Sequence, residues 1–441
     1  MNIPTIKNAF SNVKDACNHQ LTLLYPAGIP EFVKLRYELE LSFLKDSNVQ
    51  DNFEILRLLF IEAKKSSTLI GMRGTIMGSF IYYLLSNNSF NPLPAHYYCP
   101  ECGYFEQPET HLFGIDLPEK SCPHCGKTIL ADGFNLSPES VWGTDGKKII
   151  AFEYNINTEF LSFARRLIVS LYPDNPIVPL GVFHMGSYDK TVGVNPSGYA
   201  ILPSNHTIDD YSDLISYLEN GDICITGGSW VLENRFIKPI RLIPVTYMDY
   251  LLSLQRATGI YVNEITTKKL RGITWHDISS TTILNATGKT FFQDLQPKTF
   301  RDMVAVEASC HNTFSWQDSD ERDLYDYKKM LSSNAFQKYP CFTRDDFFDH
   351  MINSGIERKY AFEISERIRK GHAVSPKHKE EFDTLPIPDE LKEVAQNYHY
   401  LFPRAHCVEY ILIFARLTYY AKIDSHAFSK IVFKKNLNFG I

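Results

Sequence analysis

The order of apolar and polar positions predicts a helical start, a strand-rich middle and a mainly helical second half. At the start, apolar residues recur at helical spacing and give the helix over 30–46 an apolar side formed by Phe32, Leu35, Leu39 and Phe43. The short apolar runs of the middle indicate a mixed sheet, and from residue 246 a second, mainly α domain is expected. The expected helices are 30–46, 53–63, 209–218, 247–258, 344–354, 358–370, 388–398 and 405–420, and the expected strands are 147–156, 177–183, 198–203, 222–225 and 237–245.

Composition is that of an ordinary soluble globular protein, because 44% of the 441 residues are hydrophobic and 22% are charged. The first residues, MNIPTIKNAFSNV, lack the basic and apolar regions of a signal peptide. The most apolar run, 410–420, contains Arg416 and is too short to cross a bilayer. A reducing, cytoplasmic location is expected, since five further cysteines show no pairing rhythm: Cys17, Cys224, Cys310, Cys341 and Cys407.

The net charge of −6 argues against a protein that coats nucleic acid by bulk attraction. The charge is uneven, because residues 351–441 hold 14 Lys and Arg against 11 Asp and Glu, whereas the preceding 350 residues hold 31 against 40. This basic end is compatible with a local phosphate-binding surface, and equally with a solvated helical face.

Four cysteines carry the most specific chemistry. They form two Cys-Pro-x-Cys units, Cys99 with Cys102 and Cys122 with Cys125, separated by nineteen residues. Four thiolates at this spacing are the usual shell of a structural zinc ion, and two disulfides or four unrelated thiols are the alternative interpretation. We call residues 92–133, a Pro- and Gly-rich insertion, the zinc segment. Three histidines nearby are alternative ligands or neighbours of the thiolates: His96, His111 and His124.

Residues 69–86 predict a short strand, a turn that contains glycines and Arg73, and a helix. The amides at a helix N-terminus and a guanidinium can converge on an anion, so this turn is a candidate phosphate cradle. A plain strand-to-helix turn fits the same pattern.

A series of motifs occurs in one order along nearly the whole chain. The series comprises Arg73-Gly74-Thr75, Gly78-Ser79-Phe80, NPLPAHYYCP at 91–100, the second cysteine pair, Asn195-Pro196-Ser197-Gly198, Arg369-Lys370-Gly371 and Phe402-Pro403-Arg404-Ala405-His406. In this order the motifs resemble the PolC-type replicative DNA polymerase III of low-GC Gram-positive bacteria. The exonuclease and PHP domains of that family have no counterpart in this sequence.

The resemblance implies an α+β fold with a polymerase-beta-like nucleotidyltransferase palm, a mixed sheet, a zinc-binding insertion, a shortened thumb and mainly α-helical fingers. It assigns 1–160, with the zinc segment, to the first part of the palm and 161–189 to the reduced thumb. The second part of the palm is then 190–245, and the fingers are 246–441.

The family copies DNA with two magnesium ions held by three aspartates. Aligned on Asn155, the first two aspartate positions hold Ala151 and Glu153, and the best ungapped placement puts Arg241 at the third. One carboxylate of three remains, and an ion pair between Arg241 and Glu153 is expected to replace the metal site. If the alignment slips, three other acids are candidate substitutes: Asp145, Asp222 and Asp249.

The resemblance also assigns residues to nucleotide or DNA phosphates, because cations and hydroxyls neutralise a triphosphate. Asn195 and Ser197 replace a histidine and a glycine of the family's His-Pro-Gly-Gly turn, which is expected to keep its shape. The phosphate-binding candidates are Arg73, Gly74, Thr75, Ser79, Lys190, Arg369, Lys370, Arg404 and His406.

Three functions remain open at this point. The first is an inactive PolC-like protein that binds primed or single-stranded DNA, nucleotides or replisome proteins, with zinc as its structural metal. The second is an active minimal polymerase with relocated carboxylates, which alone requires magnesium. The third is a zinc-stabilised interaction protein without a role in nucleic-acid binding.

Overall fold

The computed structural model describes residues 3–86, 90–109, 113–182, 194–271, 273, 286–314, 324–369 and 376–432. The chain divides into two compact units, and each is described by itself. The first unit is Met1–Asn88 with Gly146–Val262, and the second is Ser89–Asp145 with Asn263–Ile441.

The first unit begins with four helices, α1 (Ala9–Leu24), α2 (Glu31–Lys45), α3 (Gln50–Lys65) and α4 (Phe80–Ser86). Helix α2 does not bury the apolar side expected from its periodicity, because Leu35 and Leu39 are 57% and 41% exposed. Its opposite side carries the buried pair Arg36 and Glu40, joined at 2.6 Å, and this pair binds the residues at the start of α4. The buried side of α2 therefore combines this polar contact to α4 with the apolar residues Val33, Tyr37 and Leu44.

Seven strands of the first unit form one mixed sheet among the described residues, which confirms the predicted α+β class with a mixed sheet. The strands are β1 (Ile70–Arg73), β2 (Glu153–Ile156), β3 (Ile177–Val182), β4 (Asn195–Ile201), β5 (Ile215–Tyr217), β6 (Ile223–Thr226) and β7 (Lys238–Pro244). Their order in the sheet is β1-β2-β7-β4-β3-β6-β5. The pairs β2–β7 and β3–β6 are parallel, and the other neighbours are antiparallel.

Helices cover both faces of this sheet. On one face, the Tyr154 hydroxyl donates to the Asn52 carbonyl of α3 at 2.9 Å. On the other face, Leu180 and Ile225 pack in a core cluster with Leu232. The remaining α-helices of the unit are Leu161–Leu171, Ser229–Asn234 and Thr246–Thr258, and short 3₁₀ helices lie at Thr75–Gly78, Thr158–Phe160 and Ile208–Leu214.

Two predicted elements of this unit are corrected. The helix expected over 209–218 is a 3₁₀ helix followed by β5, because Tyr211 has non-helical backbone angles (φ −125°, ψ 34°) and β5 pairs with β6. The turn expected at 195–198 lies within β4. Gly198 has φ +135° there, and a Cβ would lie 2.0 Å from the Ile240 carbonyl oxygen, so this position requires glycine.

The second unit is mainly helical, as the periodicity after residue 246 predicts. Its twenty-residue helix Arg404–Ile423 is largely buried. None of the helices in the described ranges has the length and apolar character that a membrane span requires. The other helices are Glu139–Trp142, Thr267–Leu270, Ala286–Leu295, Phe300–His311, Leu324–Leu331, Asn334–Lys338, Arg344–Asn353, Arg358–Arg369, Pro376–Asp383, Asp389–Gln396 and Ser425–Val432. Short strands lie at His96–Tyr98, Phe105–Glu106, Lys120–Ser121, Thr128–Ile129, Ala131–Asp132, Thr313–Phe314 and Tyr398–Tyr400.

The zinc segment belongs to this helical unit by its contacts, although the sequence analysis places it with 1–160. Arg271 donates to the carbonyls of Gly114 and Ala131, both at 2.6 Å. The carboxylate of Asp116 accepts the backbone N–H groups of Phe300 and Arg301 at 2.5 and 3.1 Å, which caps the helix Phe300–His311. The further division into palm, thumb and fingers remains a prediction.

Candidate functional site: a strand row and a four-cysteine centre

Two tight turns in the second unit bring the four cysteines together. The N–H of Gly103 donates to the Cys99 carbonyl and the N–H of Gly126 to the Cys122 carbonyl, both at 2.9 Å. Both glycines have positive φ, 74° and 72°, which a residue with a side chain rarely adopts. The repeated Cys-Pro-x-Cys-Gly sequence therefore folds into two equivalent knuckles.

The four sulfur atoms lie within 4.8 Å of one another, which fits a single zinc ion bound by four thiolates. The Sγ atoms of Cys99 and Cys125 are 3.5 Å apart, as are those of Cys102 and Cys122, so these thiols are not joined as disulfides. Burial opposes ionisation of Cys122, but backbone N–H groups and neighbouring thiols lower its pKa to about 7. Such a thiol readily provides the first thiolate.

The histidines near the four cysteines in the sequence contact other groups than the sulfur atoms. Nδ1 of His96 lies 2.8 Å from the Pro94 carbonyl oxygen, and the ring of His124 meets the Tyr104 ring edge-on with centroids 4.9 Å apart. Neither belongs to the group of sulfur ligands. His111 lies outside the described residues.

In the first unit, sheet register places Arg73, Glu153 and Arg241 side by side. Glu153 in β2 is the direct partner of Arg73 in antiparallel β1 and of Arg241 in parallel β7. Directly opposed residues of neighbouring strands project to the same face of a sheet. The three residues, which we call the strand row, therefore share one face, while Ala151 precedes β2 and is exposed.

The expected hydrogen-bonded ion pair between Arg241 and Glu153 is absent from the described residues, which corrects that expectation. The Arg241 guanidinium instead donates to the hydroxyl oxygen of Ser197 at 3.3 Å and to the carbonyl of Gly227 at 2.8 Å. Burial lowers the pKa of Arg241, and the negative charge of Glu153 opposes this effect. The two residues thus interact through their charges without a direct bond.

The residues at the three expected aspartate positions do not fit a pair of magnesium ions. Ala151 has no ligand atom, Arg241 is a cation, and Glu153 leaves one carboxylate where two metals need several. Among the described residues, the four cysteines are the one group of three or more His, Cys, Asp or Glu side chains close enough to share an ion.

The acids named as substitutes do not supply the missing ligands. Asp249 accepts hydrogen bonds from the backbone N–H and the hydroxyl of Thr158, at 2.9 and 2.6 Å. Asp222 accepts from the amide of Asn220 at 2.8 Å, and Asp145 falls in the second unit. None of them forms a three-acid group with Glu153 in the described ranges.

An internal carboxylate occupies the anion position of the predicted phosphate turn. Glu40 has no exposed surface and accepts the Ser79 hydroxyl at 2.7 Å and the Phe80 N–H at 3.0 Å. In this structure Ser79 therefore bonds to the protein's own carboxylate. Arg73 and Thr75, by contrast, are half-buried, and Gly74 between them has φ +93°. The sequence signal for this contact is the i, i+4 spacing of Arg36 and Glu40.

The candidate phosphate-binding arginines of the second unit are paired with acids. Arg404 contacts Asp346 and Asp349 at 2.9 and 2.7 Å, and Arg369 contacts Glu366 at 3.0 Å. His406 packs beside Phe402, with ring centroids 5.1 Å apart. Lys190 and Lys370 lie outside the described residues. The assignment of these residues to phosphates remains a prediction.

Comparison with known proteins points to the same family that the order of motifs in the sequence resembles. The family described as bacterial DNA polymerase III alpha NTPase domain matches residues 11–166, which include Arg73, the four cysteines and Glu153. The chain is also 24% identical, over 95% of its length, to the PolC-type DNA polymerases III of Thermotoga maritima and of Bacillus subtilis. The chain is similar in sequence to the PolC-type DNA polymerases III over nearly its whole length. The resemblance stated from the sequence is thereby confirmed.

This PolC-like chain spans about a third of the length of the curated relatives that it matches, 34% for the Thermotoga maritima protein and 32% for the Bacillus subtilis protein. The PolC relationship covers both units, because the aligned region takes in nearly the whole chain. Whatever the remaining two thirds of those relatives contribute has no aligned counterpart here.

Proposed function

We propose that this PolC-like chain is a catalytically inactive polymerase scaffold that binds DNA or nucleotides and competes with, or regulates, an active replisome. The observation that carries the proposal is Arg241 directly opposite Glu153 in the parallel pair of strands β2 and β7. A guanidinium beside the last carboxylate repels divalent cations at the place where the family's metal ligands are expected.

The proposal includes an assignment of parts. The strands of the mixed sheet that lie outside residues 161–189 serve as the palm. Residues 161–189, which include β3, serve as a reduced thumb, and the helices after residue 246 serve as the fingers. Zinc at the four cysteines stabilises the segment that caps the helix Phe300–His311 through Asp116. The zinc therefore has a structural role in the helical unit.

An active minimal polymerase requires at least two acids within metal-bridging distance of Glu153. The described residues contain no such group. A protein-interaction module without nucleic-acid binding is the second candidate, and a specific observation favours it. Arg369 and Arg404 are engaged by Glu366, Asp346 and Asp349, so their charges are neutralised within the chain.

Primer extension with Mg²⁺ or Mn²⁺ tests the proposed inactivity, with a PolC-type polymerase as the positive control. We expect no incorporation by the PolC-like chain. Robust metal-dependent incorporation that Glu153→Ala abolishes contradicts the proposal and favours the active alternative.

Retention on single-stranded, primed and duplex DNA as salt is raised separates the scaffold from the interaction module. Binding to phosphates releases counterions and weakens with salt. Undetectable binding to every form of DNA and to nucleotides favours the interaction module.

A further inference from the structure

We propose that a group of exposed apolar side chains in the first unit, set within and beside the acidic residues 194–234, is a docking surface for a cationic, apolar segment of a partner protein. This inference does not rest on the proposed binding of DNA or nucleotides, and it adds a partner of a different chemical class. We call the group the apolar face. Its members are Tyr217, Ile223, Trp230, Val231 and Phe236.

Strand pairing and packing bring the parts of the apolar face to one face of the sheet. Ile223 and Ile225 are two residues apart in β6, so both project to the same face. Ile225 packs there in a core cluster with Leu232 of the helix Ser229–Asn234. Tyr217 in β5 is the direct partner of Ile223. The side chains of β5 and β6 therefore project to the face that this helix covers.

The apolar face is well exposed. Trp230, on the helix Ser229–Asn234, is the most exposed large apolar side chain of the described residues, at 63%. The paired residues Tyr217 and Ile223 are 58% and 47% exposed. Exposed apolar side chains that share one surface mark interaction sites, and tryptophan and tyrosine are the residues that contribute most to protein–protein binding.

The end of the same helix keeps an aromatic residue in an unfavourable backbone conformation. The N–H of Phe236 donates to the Glu233 carbonyl at 3.0 Å, and the N–H of Ile237 donates to the Leu232 carbonyl at 2.9 Å. These two bonds form a Schellman motif, whose left-handed position is usually glycine. Phe236 occupies that position with φ +59°, and it is 37% exposed, so packing within the chain only partly offsets the strain. A partner that covers the ring would offset the remainder.

Charge selects the occupant of the apolar face. Residues 194–234 hold six Asp and Glu and no Lys or Arg, while the other 400 residues hold 45 of each sign. The stretch therefore accounts for the whole net charge of −6. Arg235, which follows it, neutralises Asp213 at 2.8 Å. The exposed acids of the stretch are Asp209, Asp210, Asp213, Glu219 and Asp222.

This charge argues against two other occupants. The phosphates of DNA would meet charges of their own sign. A two-fold dimer through the apolar face would set the same acids of both copies against each other. Carboxylates around apolar side chains instead complement lysine or arginine around apolar side chains, the pattern of a cationic amphipathic protein segment.

The experiment measures binding of the zinc-loaded full chain to a short synthetic peptide of lysine and leucine. Its leucines recur at helical spacing, and it contains no aromatic residue. Two matched peptides replace either the leucines by serine or the lysines by glutamate. The first lacks the apolar side chains, and the second reverses the charge.

The variants separate the apolar from the charged contribution. Ile223→Ser removes apolar surface, and the double variant Asp209→Asn with Asp222→Asn removes two charges. Leu23→Ser and Asp15→Asn are the matched controls, because Leu23 is 61% exposed and Asp15 is exposed, both on α1. Circular dichroism and zinc content establish that each variant is folded.

The lysine–leucine peptide should bind at least about tenfold more tightly than either matched peptide. Ile223→Ser should lower its affinity about fivefold, which is the effect of exposing about half of an isoleucine side chain. The double variant should lower it by a similar factor at low salt and by less as salt is raised, since exposed charges are screened. Leu23→Ser and Asp15→Asn should bind like the parent chain.

Trp230 reports the position of the bound peptide. A peptide that covers this exposed indole should shift its fluorescence to shorter wavelength. Trp230→Phe should bind the peptide like the parent chain and lose that shift, while Trp230→Ser should lose affinity as Ile223→Ser does.

Four results overturn the proposal, and none of them bears on the proposed catalytic inactivity. Equal binding of the lysine–leucine peptide and either matched peptide shows that apolar surface or charge plays no part. Effects of Ile223→Ser no larger than those of Leu23→Ser place the peptide elsewhere. Self-association of the parent chain that Ile223→Ser abolishes, measured by sedimentation, makes a second copy the occupant. Oligothymidylate that displaces the peptide and loses affinity in Ile223→Ser makes DNA the occupant.

Discussion

Arg241 and Glu153 are direct partners across the parallel strands β2 and β7, yet the guanidinium bonds to Ser197 and Gly227 rather than to the carboxylate. The arrangement leaves a carboxylate between two cations, since Arg73 faces Glu153 from the other side. Two positions that the PolC resemblance assigns to metal ligands are therefore occupied by residues of opposite charge, Arg241 and Glu153.

The contact of Glu40 with α4 should be a major source of stability in the first unit. Glu40→Gln leaves Arg36 buried without its charge partner, and breaking a buried ion pair costs about 3–5 kcal/mol. Glu38→Gln is the matched control on the same helix, because Glu38 is exposed and its ion pair with Lys34 is long, 3.9 Å. Urea unfolding followed by circular dichroism should show a large decrease in the free energy of unfolding for Glu40→Gln and almost none for Glu38→Gln. Equal effects would show that the buried pair is not important for stability.

Gly198 should tolerate no side chain. A Cβ there meets the Ile240 carbonyl oxygen at 2.0 Å and requires a positive φ. Gly221→Ala is a control for the strain alone, because Gly221 also has positive φ, but a Cβ there would have no atom within 4 Å. We expect the free energy of unfolding to fall by about 1 kcal/mol in Gly221→Ala and by more than about 3 kcal/mol in Gly198→Ala. Similar melting temperatures for both variants would contradict the close approach of β7.

The ion pairs of Asp345 predict acid sensitivity of the second unit. Burial alone would raise the pKa of Asp345, but Arg344 and Arg404 hold it well below the usual range. A carboxylate whose folded-state pKa is lowered stabilises the fold above its unfolded pKa of about 3.9, and this contribution is lost as the pH falls below that value. Stability should therefore decrease between pH 4 and pH 2.

Asp345→Asn tests this assignment. The variant should lower the free energy of unfolding at pH 7 by about 3–5 kcal/mol. It should also weaken the dependence of stability on pH below pH 4, because the titrating group is gone. Asp389→Asn is the control, since the Asp389 side chain is 97% exposed. If the acid dependence of Asp345→Asn equals that of the parent, other carboxylates are responsible.

Loss of zinc should destabilise the helical unit. Cys122→Ser removes one of four sulfur ligands, and structural zinc sites contribute on the order of 10 kcal/mol of apparent binding energy to folding. The variant should lose its zinc in elemental analysis and unfold at a markedly lower temperature, as should the parent chain in a strong chelator. Cys310→Ser, outside the cysteine group, should retain zinc. A Cys122→Ser protein with full zinc content would contradict the four-thiolate site.

The predictions that the structure supports rest on short sequence segments or on the order of motifs along the chain. The repeated knuckles place Cys99 and Cys122 in equivalent turns, so their spacing alone identifies the four-cysteine group. The placement of Glu153 beside Arg241 followed from alignment with the family, and the strand register agrees with it. Both inferences needed no knowledge of side-chain contacts.

What the sequence did not predict depends on partners distant along the chain. Glu40 bonds to Ser79, 39 residues away, so periodicity alone assigned the wrong side of α2 to the interior. The acid that meets Arg404 most closely, Asp349, precedes it by 55 residues. Apolar residues lie on more than one side of α2, and the side that is buried carries Val33, Tyr37 and Leu44 together with the ion pair that reaches a distant element.

Manganese binding to the zinc-loaded chain, followed by electron paramagnetic resonance, tests the central claim most directly. If the strand row has no divalent metal site, the Mn²⁺ spectrum and affinity should be the same for the parent chain and for Glu153→Gln, with or without dTTP. A Mn²⁺ site that is present in the parent, tightens with dTTP and is lost in Glu153→Gln would contradict the account.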